Sequence, residues 1–218
     1  LKKEHFYVTL LGLALPIILQ QLIMALLSFV DSIIVGGMGT EAIAAVGLSN
    51  QYFFISELWL FGITSGTAIF TAQMWGKGDK KSIRKVLLLC LIVALASAGV
   101  MAALAWLFPK EILGLFSKDQ KVIETGFRYL QIAAFASVMM AVSVSMSAVL
   151  RSMGKVKLPM VVSSVALMIN TVLGYSLVYG KLGCPKLGVY GAAMGLVIAR
   201  LFEMIAFVVL VWIKVPEL

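Results

Sequence analysis

Six continuous apolar runs, at 6–35, 42–75, 82–108, 122–149, 156–180 and 188–213, take up nearly all of this 218-residue chain. Each exceeds the roughly 20 residues that cross a hydrocarbon core as a helix, and far exceeds the ~9–11 of a membrane barrel strand. Inside lipid the backbone must satisfy its own hydrogen bonds, so unbroken runs of this length dictate helices. Composition agrees: 61% hydrophobic residues, 13% charged residues and a mean hydropathy of +1.04 exclude a water-soluble globular domain. The expected fold class is all-α, a polytopic membrane protein whose residues 1–218 form one six-transmembrane-helix lobe. The first run follows Lys2 and Lys3 but is too long for a signal peptide and has no small-residue cleavage pattern.

The net charge of +8 sorts by loop. Lys2, Lys3, Lys77, Lys80, Lys81, Arg84, Lys85, Arg151, Lys155, Lys157 and Lys214 fall on one side of six alternating helices, and Lys110, Lys118, Lys121, Lys181 and Lys186 on the other. The positive-inside rule then puts both termini in the cytoplasm of a multi-pass plasma-membrane protein. The basic excess is a topology signal, and no nucleic-acid partner is expected; membrane lipid is. Connections are short and rich in Gly, Lys and Pro, with no room for a soluble domain. The longest, Pro109 to Lys121, carries Ile112, Leu115 and Phe116 between charges, a spacing that suits a short helix at the outer surface.

Several chemistries are unsupported. Gly76-Lys77-Gly78-Asp79 lacks P-loop spacing, so no nucleotide hydrolysis is expected. His5 stands alone at an interface, and Cys90 and Cys184 imply no disulfide. No cluster of nucleophile, base and acid marks an enzyme. Solute movement would therefore draw on an ion gradient, where one charge crossing ~100 mV releases about 2.3 kcal/mol, enough for a gradient of roughly fifty-fold.

The polar residues within the apolar runs are the candidates for function. An Asp at a helix centre costs roughly 2.5–3.5 kcal/mol on insertion scales, the return of about six leucines. Asp31 reads either as an ionisable group on a bendable helix or as a carboxylate hydrated at the outer interface. Gln20 lies eleven residues earlier, so at ~100° per residue the two share a face. Pro16 predicts a bend between Gly12 and Pro16. In the second run Asn50, Glu57, Thr64 and Thr71 recur every seven residues as a polar stripe, with Glu57 either protonatable or structurally hydrogen-bonded. In the fifth, Ser163, Asn170 and Gly174 lie on one side, and Asn170 is either a ligand or interhelical glue. In the sixth, Arg200 and Glu203 are three apart and are read as a structural or gating ion pair. Gly62-x-x-x-Gly66 and Gly191-x-x-x-Gly195 allow close helix approach. Met139, Met140, Met146 and Met168 are either pocket lining or ordinary packing.

Taken in order, Leu15-Pro16-Ile17, Phe29-Val30-Asp31-Ser32-Ile33-Ile34-Val35-Gly36-Gly37, Glu41-Ala42-Ile43-Ala44-Ala45-Val46-Gly47, Gly66-Thr67-Ala68-Ile69-Phe70-Thr71-Ala72-Gln73-Met74-Trp75-Gly76-Lys77-Gly78-Asp79, Leu150-Arg151-Ser152-Met153-Gly154 and Leu187-Gly188-Val189-Tyr190-Gly191-Ala192-Ala193 resemble one family. The chain is similar to the amino-terminal lobe of a multidrug and toxic compound extrusion (MATE) transporter over nearly its whole length. The resemblance implies a twelve-helix antiporter without ATP or other cofactor, exchanging H+ or Na+ as coupling ion for organic cations and other amphiphilic drugs. It implies a second six-helix lobe as partner, either beyond Leu218 or as a second copy. It makes Asp31 the cation-coupling carboxylate and Asn170 its partner. Gly174 stands where several prokaryotic members carry an Asp, and Gly195 where a hydroxyl sometimes joins the site, which favours a proton over a caged sodium ion. The alternatives are a flippase for a lipid-linked sugar, which would need a strongly cationic cavity, and a passive channel.

Overall fold

The computed structural model describes residues 3–215. Lys2 and the side chains of Lys3, His5 and Lys214 lie outside the described residues. Seven helices follow in order: α1 (Lys3–Gly36), α2 (Thr40–Gly76), α3 (Lys80–Leu107), α4 (Pro109–Phe116), α5 (Gln120–Ser152), α6 (Lys157–Tyr179) and α7 (Val189–Lys214). Six of these are long and apolar enough to cross a membrane, and α4 is the short exception. No strand occurs among the described residues.

The turns follow from local chemistry. Asp79 caps α3 by accepting from the Ser82 amide at 3.1 Å and the Ser82 hydroxyl at 2.6 Å, which holds its carboxyl below the usual carboxylate range. Gly180 ends α6 in the left-handed conformation, φ 69°, where a side chain would be strained. The fourth apolar run continues past residue 149, so Arg151 occupies the last turn of α5 instead of a connecting loop.

α5 is the hub. Its 18-residue hydrophobic window is 61% buried against 6% for that of α1. Gly126, Ala133, Ser137, Ala141 and Ser145 are buried along α5 at spacings that keep them on one side. Small side chains let neighbouring backbones approach, and α2, α3 and α7 pack around this helix. α1 stands at the edge, packed chiefly on α6 and lightly on α2.

The surface helix expected over 109–121 is present as α4, anchored differently from the pattern read in the sequence. Leu113 is fully buried with Tyr52, Ala105, Ile123, Leu130 and Ala134, while Leu115 is 82% exposed. Leu113→Ala is expected to cost about 2–5 kcal/mol. Leu115→Ala should move stability by less than about 0.5 kcal/mol. Thermal unfolding of the purified variants in detergent checks both.

Candidate functional site

Two polar centres sit inside the bundle. The first joins α1 to α6. Asn170 Nδ2 donates to Asp31 Oδ2 at 2.7 Å, and Thr171 Oγ1 donates to Asp31 Oδ1 at 2.9 Å. One turn further along α1 the Tyr179 hydroxyl donates to the Ile34 carbonyl at 2.8 Å. The end of α1 is therefore held to α6 by three interhelical bonds. Asp31 is partly buried. Asn170 takes the place expected for it beside the carboxylate. Thr171 was missed; its one signal was a hydroxyl next to the flagged amide.

This geometry couples protonation to packing. An ionised carboxylate accepts from both the amide and the hydroxyl. A protonated one loses its charge and carries a donor on one oxygen, so the bond accepted there weakens and the new O–H calls for an acceptor of its own. Bonds to charged groups contribute about 1.5–3 kcal/mol each, so the contact between α1 and α6 depends on the charge of Asp31.

Gln20 does not join Asp31. Sharing a face leaves the two about 16 Å apart along the helix axis. Gln20 is buried, and its Oε1 accepts from Nη2 of Arg151 at 3.0 Å. α1 runs as one continuous helix through Pro16, a turn before Gln20.

The second centre is a cavity of about 550 Å³ lined by α1, α2, α5, α6 and α7. Gln20, Glu57, Thr64, Arg151, Arg200 and Glu203 contribute its polar wall. Arg200 Nη1 donates to Glu203 Oε2 at 2.7 Å, and Ser163 Oγ donates to Oε1 of the same carboxylate at 2.7 Å. The expected pair thus forms, and it borders the cavity. Ser163 and Asn170 serve different neighbours, α7 and α1, although both were read on one side of their helix.

The polar stripe on α2 splits. Thr64 and Thr71 are buried, the former donating to the Leu60 carbonyl at 2.9 Å, whereas Glu57 is exposed and Asn50 is exposed away from the cavity lining. Asn50 is therefore no part of this polar wall: α2 buries residues along its whole length, from Ala42 to Thr71, but near Asn50 and Glu57 the buried positions are their neighbours Ser49 and Ser56. Among the methionines, Met24 and Met140 line the cavity, and Met168 is 58% exposed. No cluster of three metal-ligating side chains occurs among the described residues.

A family model described as MatE matches residues 16–176, well over half of the chain. The chain belongs to the MatE family. It is 30% identical over 205 residues to the probable multidrug resistance protein NorM of Agrobacterium fabrum, covering 94% of this chain and 44% of that protein. It is 28% identical over 192 residues to the probable multidrug resistance protein NorM of Thermotoga maritima, covering 88% of this chain and 41% of that one. Its fold superposes on the outward-facing structure of a multidrug resistance MATE family transporter of the MOP superfamily, with a TM-score of 0.84 at 20% identity over 96% of this chain and 45% of the other. The chain thus spans under half the length of the MatE relatives it matches, as one lobe does. It is a multi-pass helical membrane protein. Gly174 and Gly195, where the resemblance placed an Asp and a hydroxyl, add no oxygen to the site. A Cβ at Gly195 would lie 3.0 Å from the Gly174 backbone nitrogen, so these positions form a close contact between α6 and α7.

Proposed function

We propose that this chain is one lobe of a secondary active antiporter that exports organic cations or amphiphilic drugs in exchange for protons or Na+, with Asp31 as the coupling carboxylate. The observation that carries this reading is the placement of Asp31 against Asn170 and Thr171 at an interhelical contact. The printed names of its relatives, multidrug resistance proteins, support the substrate class. The partner is a second six-helix lobe, with the drug cavity between lobes, both termini in the cytoplasm and the plasma membrane as location. One carboxylate, one amide and one hydroxyl make a sparse cage, which favours the proton.

The intact protein in vesicles, given a pH gradient and a Na+ gradient in separate experiments, tests this. Ethidium should move against its own gradient when the pH gradient is imposed. Ion current with no gradient-driven ethidium movement would mark a channel instead. The flippase reading asks for clustered uncompensated cations around a pyrophosphate; Arg200 is matched by Glu203 and Arg151 is a single cation, so the cavity supplies a poor site for one.

Thr171→Val should slow proton-driven efflux roughly ten- to a hundredfold, the effect of about 1.5–3 kcal/mol lost from a bond to a charged acceptor. Asn170 still holds the carboxylate, so the lobe should fold, with stability lowered by no more than that one bond. Efflux rates at matched protein density check the first, and unfolding curves the second.

A further inference from the structure

We infer that the cavity is a binding site for a zwitterionic amphiphile whose carboxylate sits on Arg151. This goes beyond the Asp31 reading and does not depend on it. Among the described residues the guanidinium of Arg151 has one partner, the neutral Gln20 amide oxygen, and its Nε is buried with no hydrogen-bond partner at all. Among the described residues no carboxylate lies within ion-pair distance of it. Arg151 is partly buried, and even a partly buried cation without a countercharge is disfavoured, a cost that its place in the last turn of α5 offsets only in part. The side chain reaches across to α1, at the edge of the cavity.

The other cavity charges decide the ligand. Arg200 and Glu203 neutralise each other, and Ser163 fills the remaining carboxylate oxygen. Glu57 lines the cavity with neither a hydrogen bond nor an ion pair among the described residues. The cavity therefore presents one unmatched cation and one unmatched anion. Met24, Phe61, Met140 and Leu167 supply apolar wall between polar groups. A ligand that satisfies this lining has a carboxylate for Arg151, an ammonium for Glu57 and an apolar body.

Nε-dansyl-lysine and dansylcadaverine test the inference, because they differ by the carboxylate alone. Dansyl fluorescence is titrated on the intact protein in detergent at fixed pH, with no gradient. Wild type should bind dansyl-lysine at least roughly tenfold more tightly than dansylcadaverine. Arg151→Gln should remove that preference by weakening dansyl-lysine roughly tenfold while dansylcadaverine changes by less than about threefold. Arg151→Lys should restore part of it, and Asp31→Asn should leave it intact even where transport is lost. Binding of neither probe by wild type, equal binding of both, or equal weakening of both by Arg151→Gln would overturn the inference. The wild-type comparison decides the matter even if Arg151→Gln fails to fold.

Discussion

Asp31→Asn should reduce the ethidium gradient built by the proton-driven transporter from roughly fifty-fold to near unity. The first figure follows from an imposed pH difference of about 1.7 units across a one-for-one, electroneutral exchange, worth about 2.3 kcal/mol, and the second from the loss of any group that changes charge at the coupling position. The substitution keeps side-chain volume. Its amide oxygen can still accept from Asn170 Nδ2 or Thr171 Oγ1, which lie 2.7 and 2.9 Å from the native carboxylate. The fold and drug binding should therefore survive, with affinity within about threefold of wild type. What goes is the alternation between an acceptor-only carboxylate and a carboxyl with a donor, the step that lets protonation reset the α1–α6 contact. Unchanged gradient-driven efflux in vesicles carrying Asp31→Asn would remove Asp31 from the coupling role. Loss of ethidium binding together with efflux would point to a substrate contact instead.

The helices were legible because lipid leaves the backbone so few options: apolar runs of this length have one way to satisfy their hydrogen bonds. The polar centres were legible as residues and much less as contacts. Asp31 and Asn170 stand out within apolar runs, yet they are 139 positions apart, and only the family resemblance joined them beforehand. Thr171 was hidden because a threonine in a membrane helix usually bonds its own helix backbone, as Thr64 and Thr67 do here. Gln20 was assigned to Asp31 by angle alone; the rise along the helix separates them, and the buried amide finds Arg151 instead. Arg151 itself read as a cytoplasmic loop charge, because its neighbours Met153 and Gly154 signal a turn. The helix persists just far enough to carry it to the cavity. Leu113 and Leu115 differ by two positions on a helix, so their opposite exposure depends on how α4 lies against the bundle, which no local pattern encodes.

The two glycine pairs give the sharpest stability contrast. A Cβ at Gly191 would lie 2.6 Å from both the carbonyl carbon and the carbonyl oxygen of Leu177, backbone atoms that no rotamer change can move aside. A Cβ at Gly62 or Gly66 would meet nothing within 4 Å. The same spacing therefore marks a helix contact in α7 and an open surface of the lobe in α2. Gly191→Val should force α7 away from α6, at or above the about 1–3 kcal/mol usual for overpacking. Dispersion at such close approaches is a main source of helix association in lipid, where no hydrophobic drive replaces it. The separation would also stretch Ser163 from Glu203 and shift the helix that presents Asn170 and Thr171 to Asp31. Gly191→Val should accordingly lose both folded yield and efflux, while Gly62→Val and Gly66→Val keep wild-type unfolding curves. Thermal unfolding in detergent decides it: a wild-type curve for Gly191→Val would mean that α6 and α7 do not meet at this contact in the folded lobe.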